Sequence, residues 1–349
     1  MNATFQNRIR KEYSHKKILV TGASGYLSTN LVHSLKDVDC TVIRLSRKSV
    51  LPPIKGNVNI IDYQGDIVCR ETWERVLGEV DIIYHMAGQT SVYVAEEKSL
   101  DDMEVNATSM LLLLEVCREK KINPLIVFSG TSTEVGIPEK LPVNETFLDR
   151  PITLYDLHKL MAENYLKLFC RYGCVSGVSL RLTNVYGPGP QSGSKDRGFL
   201  NQMMRKALVG EPLTIYGKGE FIRDYIFIED AINAFLSVPM NLSKTNGKHF
   251  IIGSGEGKSI SQAVAIVAEL VRESRGISVS IEHTTPPHNL SPIESRNFIA
   301  DSSGFKQATG WEPQYPLKKG IDLTLKRYSS SMKKNNDVSC GLTSPPSLD

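Results

Sequence analysis

The sequence predicts an α/β protein built around a doubly wound parallel sheet. Apolar runs of strand length alternate with amphipathic runs of helix length from residue 18 to residue 182, a pattern typical of parallel sheets with helices on both faces. The first strand-to-helix turn contains Gly22 and Gly25, so the chain can turn tightly there. With 349 residues, of which 41% are hydrophobic and 23% charged, the chain is long enough for one composite domain or two.

Each element is predicted from its own run of residues. Strands are predicted at residues 18–21, 40–45, 58–62, 80–88, 124–129 and 177–182, and helices after Gly25 and at residues 71–77, 99–120 and 154–172. Beyond residue 187 the alternation loosens. Helical stretches at 199–208 and 261–272, with short strands between them, predict a smaller α/β C-terminal lobe, and segment 225–236 is expected to return to the first domain.

The turn after the first strand is suited to a phosphate. Gly22 and Gly25 allow a close approach that a Cβ would prevent, and a pyrophosphate there would meet the N–H groups and the positive dipole end of the next helix. Ser28 stands where a third glycine is usual, and a small serine still permits helix and strand to pack closely. An ordinary turn has the same pattern, but its place at the first strand of an alternating chain favours a nucleotide site.

These patterns divide the chain into four parts. Residues 16–186 with about 222–256 are expected to form a Rossmann-like dinucleotide-binding domain, and about 187–221 with 257–328 the C-terminal substrate lobe. Residues 1–15 and 329–349 are rich in polar and charged side chains, so both tails are expected to be disordered.

Composition argues against several classes of protein. The first fifteen residues lack the apolar core of a signal peptide, and no later apolar run approaches a membrane span, so we expect a cytoplasmic protein with no membrane partner. The net charge of +3 comes from dispersed residues, and no nucleic-acid partner is expected. The six cysteines have neither a paired framework nor zinc spacing, which predicts reduced thiols and no metal.

Tyr155 and Lys159 lie four residues apart in a predicted helix and therefore share one face. A phenol is a weak base, but a neighbouring ammonium and a cationic nicotinamide favour the phenolate. Tyr155 could then exchange a proton with a substrate oxygen while hydride moves to or from a cofactor. A helix with one buried aromatic and one lysine that reaches solvent has the same spacing. The hydroxyl-rich strand end around Thr131 favours catalysis, because it supplies a hydrogen bond to the reacting oxygen.

Further motifs follow in a fixed order along residues 16–327. They are Thr-Gly-x-x-Gly at 21–25, His-Met-Ala-Gly at 85–88, Asn106, the hydroxyl strand end, Tyr155 with Lys159, Arg-Leu-Thr-Asn-Val-Tyr-Gly-Pro-Gly at 181–189 and the run 216–225. In this order and spacing the chain resembles the extended short-chain dehydrogenase/reductases, and within them the nucleotide-sugar epimerases, dehydratases and 4-keto reductases.

The resemblance implies roles for individual residues. Thr131, Tyr155 and Lys159 match the catalytic triad. The implied cofactor positions are Gly22, Gly25, Tyr26 and Leu27 at the pyrophosphate, Asp66 and Ile67 at the adenine, and Ser46, Arg47, Ala87 and Lys159. The implied positions for a nucleotide-diphosphate sugar are Gln89, Ser91, Thr131, Asn184, Tyr216, Arg223 and Arg296. Two arginines with forked donors suit the two charges of a diphosphate, and a surface ion pair is the alternative for Arg296.

One departure from the group's pattern concerns the cofactor. Many members that retain NAD have an aspartate after the second strand, where it binds the ribose 2′-hydroxyl. Here Ser46 and Arg47 stand at that place. A 2′-phosphate would be favoured there, which predicts NADP(H), with NAD as the alternative.

A second departure concerns the reaction. Dehydratases and decarboxylases of this group place a carboxylate just after the catalytic threonine, where this chain has Ser132 and Thr133. Glu134 would reach that place only if the loop were shifted by one residue, and counting back from Gly136 argues against the shift. The remaining pattern is that of 4-epimerases and 4-keto reductases.

The sequence thus predicts NADP(H)-dependent reduction of a nucleotide-activated 4-keto-6-deoxyhexose, with Tyr155 as general acid, Lys159 tuning it and Thr131 holding the reacting oxygen. A nucleotide-sugar 4-epimerase with bound NAD uses the same residues and stays open, as does a non-catalytic NADP(H)-binding sensor. Many members pair through two long helices, here 99–120 and 154–172, so the resemblance implies a homodimer. Met110, Leu114 and Phe169 would lie in that interface or in the core.

Overall fold

Parallel strands cross the centre of the molecule and helices cover them. The computed structural model describes residues 3–190 and 198–340, with side chains to residue 330. Numbered along the chain, the strands are β1 (Lys17–Thr21), β2 (Thr41–Ser46), β3 (Asn59–Gln64), β4 (Ile82–His85), β5 (Leu125–Thr131), β6 (Ser176–Leu182), β7 (Asn184–Tyr186), β8 (Leu213–Tyr216), β9 (Ile222–Phe227), β10 (Lys248–Ile252), β11 (Gly257–Ser259) and β12 (Ile281–Thr284). The helices are α1 (Ala3–Tyr13), α2 (Tyr26–Ser34), α3 (Arg70–Val76), α4 (Val92–Glu97), α5 (Ser99–Met103), α6 (Ser109–Lys120), α7 (Leu154–Arg171), α8 (Phe199–Leu208), α9 (Ile228–Ser237), α10 (Leu242–Thr245), α11 (Ile260–Arg275), α12 (Ser303–Thr309) and α13 (Leu317–Cys340).

In the described part of the chain, seven strands form one sheet in the order β10-β6-β5-β4-β1-β2-β3, with every neighbouring pair parallel. This confirms the predicted doubly wound α/β fold. Side chains of β1 alternate between the faces: Ile18 and Val20 join the apolar cluster under α2 and α9, and Leu19 joins the cluster under α3, α6 and α7. Ligand clefts in such sheets form at the carboxyl ends of the strands where the winding reverses, here β1 and β4.

The C-terminal lobe is built on two small sheets within the described residues. Strands β7, β9 and β11 form one, and β8 pairs in parallel with β12 in the other. Helices α8, α11 and α13 pack on one another beside them. Strand β10 pairs with β6, so the chain returns to the main sheet between two visits to the lobe. The exact domain boundaries stay a prediction.

The loop after β7 connects the main sheet to the lobe. The carbonyl of Gly187 accepts hydrogen bonds from the hydroxyls of Tyr26 on α2 and Tyr328 on α13, at 3.0 and 3.1 Å. The N–H of Gly187 donates to Asn201 on α8 at 3.0 Å. Three helices from both parts therefore hold this one residue.

The structure differs from the prediction at the N-terminus. Residues 3–13, expected to be disordered, form α1, with Ile9 and Tyr13 fully buried and Phe5 packed against the same cluster. These three side chains lie four residues apart and make one apolar stripe on an otherwise polar and basic helix. A stripe of three residues is too weak a pattern to stand out from the sequence.

The structure also differs from the prediction at residues 329–340, which were expected to be disordered. Helix α13 continues through residue 329 to Cys340, and it buries Leu317, Ile321, Leu325 and Tyr328 along one face. The predicted tail at 341–349 lies outside the described residues. No helix in the described ranges is both long and apolar enough to span a membrane.

The segment predicted as one helix at 99–120 has a π-helical turn in it. Helix α5 leads into this turn at Glu104–Thr108, and α6 continues from it. Such turns occur frequently at functional sites. The sequence also failed to predict α4, whose first turn is capped by the hydroxyl of Ser91, which accepts from the N–H of Val94 at 3.3 Å.

The buried hydroxyl of Tyr13 attaches α1 to the main sheet. It lies 2.5 Å from the hydroxyl of Tyr84 on β4 and donates to the carbonyl of Leu236 at 3.0 Å. Tyr13→Phe leaves both groups without this partner, so we expect the free energy of unfolding to fall by about 2 kcal/mol. Urea denaturation measures this change in the free energy of unfolding. Tyr172→Phe, at a side chain 62% exposed, is the control and should change it by less than about 0.5 kcal/mol. Equal losses in the two variants would contradict this account of α1.

Candidate active site

The turn between β1 and α2 has the shape of a phosphate cradle. Gly22 has a φ of +61°, and a Cβ on it would lie 2.8 Å from the Cα of Ala87, so glycine is required. The N–H of Gly25 donates to the Gly22 carbonyl at 2.7 Å. Ser28 is buried and its hydroxyl donates to the carbonyl of Thr21 at 3.1 Å, so helix and strand pack closely without a third glycine. Helix α2 starts without a side-chain cap on its first N–H groups, and these fit a pyrophosphate.

The hydroxyl of Thr21 joins β1 to the end of β4. Its oxygen accepts from the N–H groups of Met86 and Ala87, at 3.0 and 2.9 Å, and lies 3.1 Å from Nδ1 of His85. With two donors already at the oxygen, its proton points to Nδ1, which makes His85 a neutral imidazole protonated at Nε2. Burial lowers the pKa of His85 to about 3, and the Lys159 ammonium adds to the effect. A neutral histidine therefore lies buried at the end of β4, against the hydroxyl of Thr21.

Two residues predicted to line the pyrophosphate offer their backbone only. Tyr26 is the first residue of α2, but its hydroxyl is turned away to Gly187. Leu27 packs its side chain against the core. Glycine-containing turns at helix N-termini commonly bind phosphate through backbone N–H groups. Contact of Tyr26 and Leu27 with the pyrophosphate through their backbone therefore stays the prediction.

Asp66 and Ile67, the residues predicted at the adenine, follow β3. The Asp66 carboxylate accepts from the N–H of Val68 at 3.3 Å, and the Ile67 carbonyl accepts from the indole of Trp73 at 2.8 Å. Both contacts fix the loop, and the assignment of the two residues to the adenine stays a prediction.

The end of β2 carries hydroxyl and basic groups. The hydroxyl of Ser46 lies 3.4 Å from that of Ser24 in the glycine turn and accepts from the N–H of Lys48 at 3.0 Å. The side chain of Arg47, the residue between Ser46 and Lys48, is exposed. Ser46 and Arg47 thus stand beside the turn, as the predicted contacts to the ribose require.

Helix α7 packs against β5 and brings a phenol and an ammonium to the strand end. Tyr155 and Lys159 are buried one turn apart on this helix. The Lys159 nitrogen lies 4.1 Å from the centre of the Phe128 ring on β5. Thr131 is the last residue of β5, and its hydroxyl oxygen is 2.8 Å from that of Thr133. The predicted catalytic residues therefore occupy the carboxyl edge of the sheet.

Tyr155 also marks the contact between the main sheet and the lobe. Its ring packs in a small apolar cluster with Val92 and Ala95 on α4 and with Ile293 from the lobe. The phenol is thereby held by elements from both sides of the cleft.

Glu134 faces the interior and not the cleft. It is fully buried, its Oε1 accepts from the N–H of Thr131 at 3.0 Å, and its Oε2 lies 2.9 Å from Nε of Arg181. Burial raises the pKa of Glu134 well above its usual value, with nearby Glu163 adding to the rise. The Glu134 carboxylate is therefore engaged by the Thr131 backbone and by Arg181 beneath the strand end.

Sequence reasoning missed the buried ionic cluster beneath the strand end. Arg181 on β6 donates to both oxygens of Asp149, at 2.5 and 2.9 Å, and to both oxygens of Glu163, at 3.0 and 2.7 Å. Burial opposes ionisation of Glu163, but the hydrogen bonds from Arg181 bring its pKa to about 2. In the sequence, this cluster could have been indicated by Glu163, an acidic residue four positions after Lys159 on the same helix.

In the lobe, two arginines predicted to bind a diphosphate lie side by side. Arg223 on β9 is buried and donates to the carbonyl of Arg296 at 2.5 Å and to that of Glu294 at 2.7 Å. Arg296 donates to the carbonyl of Ile293 at 3.2 Å and is only 6% exposed, which argues against the surface ion pair. Backbone carbonyls thus hold two adjacent cations in place.

The other four residues predicted to contact the substrate differ in their exposure and in their hydrogen-bond partners. Asn184 donates to the carbonyl of Asp224 at 3.0 Å, and Tyr216 is 56% exposed at the end of β8. Gln89 donates to the carbonyl of Ser91 at 2.7 Å, and Ser91 is buried and engaged as the cap of α4. Ser91 therefore supports the loop, and a direct contact with substrate stays a prediction for all four.

Residues 18–253, about two thirds of the chain, match the model of the NAD-dependent epimerase/dehydratase family. This chain belongs to that family. It is 28% identical over 325 residues to a putative UDP-glucose 4-epimerase of Methanocaldococcus jannaschii, covering 91% of this chain and 99% of the relative.

Solved structures of the family resemble it over a similar length. The UDP-glucose 4-epimerase of Thermotoga maritima with UDP-glucose superposes with a TM-score of 0.81 at 28% identity, over 90% of this chain and 99% of the other. The UDP-glucose 4-epimerase of Thermus thermophilus in complex with NAD gives a TM-score of 0.76 at 26% identity, over 90% and 99%. The similarity therefore includes both the main sheet and the lobe of this family member.

The neutral, buried His85 makes stability depend on pH. The pKa of His85 is about 3 in the folded state and about 6.5 in an unfolded chain. At pH values between these two, the unfolded chain binds a proton on this imidazole and the folded chain does not. We expect stability to fall as pH is lowered from about 6.5 towards 4, with His85 contributing up to about 1.4 kcal/mol per pH unit. Denaturant unfolding at several pH values measures the slope. His85→Asn should flatten it, and His15→Asn, at a side chain 82% exposed, should not. Identical slopes in all three proteins would refute the assignment.

Proposed function

We propose that this protein interconverts the C4 epimers of a nucleotide-diphosphate hexose with a bound nicotinamide dinucleotide. The observation that carries the proposal is the composition of the strand end. Helix α7 packs there with Tyr155 and Lys159 buried, and Glu134, the acid of the described turn after Thr131, faces the interior. The resemblance implies an acid at this place for the dehydratases and decarboxylases of the group. The near full-length similarity to UDP-glucose 4-epimerases supports the same reaction.

The chemistry divides between the dinucleotide and three side chains. A bound nicotinamide would supply the hydride chemistry at C4, and inversion requires the hexose to turn between oxidation and reduction so that hydride reaches the opposite face of C4. Tyr155 takes the proton of the 4-hydroxyl during oxidation and gives it back during reduction. Lys159, one turn away, favours the phenolate, and the Thr131 hydroxyl donates to the sugar oxygen. Because both half-reactions use the same groups, no net oxidation occurs and no external reductant is needed.

The lobe supplies recognition of the nucleotide. Arg223 and Arg296 present two adjacent cations, each oriented by backbone carbonyls, and a diphosphate carries the matching charges. The exposed ring of Tyr216 is suited to stack on a base. Stacking tolerates any base, so a UDP-linked hexose is proposed from the relatives alone.

A second candidate is reduction of a nucleotide-linked 4-keto-6-deoxyhexose by NADPH. It is favoured by Ser46, Arg47 and Lys48, which offer hydroxyl and basic groups beside the glycine turn. The carboxylate of Asp62 on β3 is paired with Arg44, whose Nε and Nη2 atoms donate to its Oδ1 and Oδ2 atoms, each at 2.7 Å. A 2′-phosphate would therefore meet cations there.

We also propose a homodimer paired through α5 to α7. Met110, Leu114 and Phe169 are buried within this chain, which places them in the core. Leu100 and Leu157 are exposed on the same helices and supply apolar surface for a second copy. The molecular mass in solution tests this pairing.

Turnover tests the proposed reaction directly. Incubation of the purified protein with UDP-glucose is expected to yield UDP-galactose, measured by chromatography of the sugar nucleotides. Tyr155→Phe removes the proton carrier and should lower kcat by about 100-fold or more. Tyr172→Phe is the matched control and should keep full activity. If UDP-, dTDP-, CDP- and GDP-linked hexoses all remain unchanged while a dinucleotide binds, the epimerase proposal fails.

The identity of the dinucleotide separates the two candidates. For the epimerase we expect NAD to be retained through purification and identified by mass spectrometry. Ser46→Asp adds a charge that repels a 2′-phosphate and accepts from a 2′-hydroxyl, so it should weaken NADP(H) by about tenfold or more without weakening NAD. Titration of both cofactors measures this, with the exposed Val50→Asp as control. Retained NADPH, oxidised on addition of a 4-keto-6-deoxyhexose nucleotide, would move the reductase to first place.

A further inference from the structure

One buried carboxylate joins three segments behind the predicted catalytic helix. Asp102 on α5 is 1% exposed. Its Oδ2 lies 2.6 Å from Nδ1 of His158 on α7, and its Oδ1 accepts from Gln89 at 2.7 Å and from Asn106 at 2.9 Å. A carboxylate only accepts hydrogen bonds, so each of these partners must present an N–H to it.

This requirement fixes the orientation of the Asn106 amide. Its Nδ2 donates to Asp102 and to the carbonyl of Gln89, at 2.9 and 3.0 Å, and both partners are acceptors. The Oδ1 atom must therefore point the other way. It lies 2.7 Å from the position that a Cβ on Gly88 would occupy, and the Lys159 nitrogen lies 4.0 Å from the same position.

The Asn106 oxygen is an unsatisfied acceptor that faces Gly88, as the Lys159 ammonium does. Asn106 is 2% exposed, and within the described chain its Oδ1 has no hydrogen-bond partner. It sits in the π-helical turn at Glu104–Thr108, four residues after Asp102 and on the same face. A buried acceptor without a partner carries a cost of about 1–3 kcal/mol, and such groups mark sites where a ligand or water completes the bonding.

His158 extends the arrangement to α7. It is buried and immediately precedes Lys159 in the chain, so its contact with Asp102 restrains the helical turn that carries the ammonium. The same carboxylate thus restrains the helical turn that carries Lys159 and holds the Asn106 oxygen near Gly88, where the Lys159 ammonium also lies.

We propose that Asp102 is a positioning residue that orients the Asn106 oxygen towards Lys159 and thereby sets the geometry of the Tyr155–Lys159 pair. This inference rests on the proposed function for its kinetic test. Asp102 touches neither substrate nor dinucleotide in this account, and acts only through Asn106 and His158.

A double-mutant cycle tests the proposal. Asp102→Asn presents its NH₂ either to Gln89 and Asn106, which releases the Asn106 amide to rotate, or to His158, which loses the charged partner that restrains the turn of Lys159. In either case kcat should fall about tenfold or more while KM for the nucleotide sugar stays within about threefold. Asn106→Ala removes the oriented oxygen and should have a similar effect. The double variant should be no slower than the slower single variant, because both changes remove one interaction. Asp101→Asn, at the exposed neighbouring acid, is the control for loss of charge and should leave kcat unchanged.

Other outcomes would overturn the inference. Fold losses that multiply in the double variant would show that Asp102 acts independently of Asn106, and an unchanged kcat in Asp102→Asn would show that it does not act at all. If Asp102→Asn does not fold, Asp102→Glu, which keeps the charge and displaces it by one methylene, takes its place in the cycle. If the wild type converts no nucleotide sugar, the proposed function fails separately. The same non-additivity is then sought in the Kd of NAD(H) or NADP(H), and its absence there would overturn the inference.

Discussion

The candidate site depends on one polar contact between two apolar strands. The hydroxyl of Thr21 accepts from two successive N–H groups at the end of β4, and so replaces the ladder partners that these groups lose where the strand leaves the sheet. This contact brings the chain at Ala87 so close to Gly22 that no Cβ fits between them. The glycine turn and the segment that carries Gly88 are therefore held against each other. Burial of His85 against the same hydroxyl keeps water out of the joint.

A second constraint lies under α7. Arg181 binds two carboxylates through four hydrogen bonds and contacts a third, that of Glu134, which in turn accepts from the backbone of Thr131. Desolvation makes such clusters weak sources of net stability, but removal of one partner is costly. Their effect is geometric: β6, α7 and the strand end are held at fixed separations. The groups proposed to act on the sugar thus stand on a rigid ionic support.

The sequence predicted what local chemistry determines. Alternating periodicity sufficed for the parallel sheet, and Gly22 and Gly25 sufficed for the turn, because each of these depends on neighbours in the chain. Spacing along one helix was enough to pair Tyr155 with Lys159. The contact between Asp102 and His158 could not be predicted, because it joins residues 56 positions apart and has no local pattern. For the same reason the stripe on α1 and the buried state of Ser91 appeared only in the fold.

The two phenols that share the carbonyl of Gly187 have a kinetic consequence. Helix α2, which starts at the phosphate turn, and helix α13 cannot separate unless at least one of these hydrogen bonds breaks, at about 0.5–1.5 kcal/mol each. The third bond, to Asn201, adds a similar barrier. The connection thus favours the joined arrangement of the three helices, and under the proposed function it would oppose the opening through which a dinucleotide leaves. Slow release suits an enzyme that reuses one cofactor over many cycles and limits one that must exchange it at every cycle.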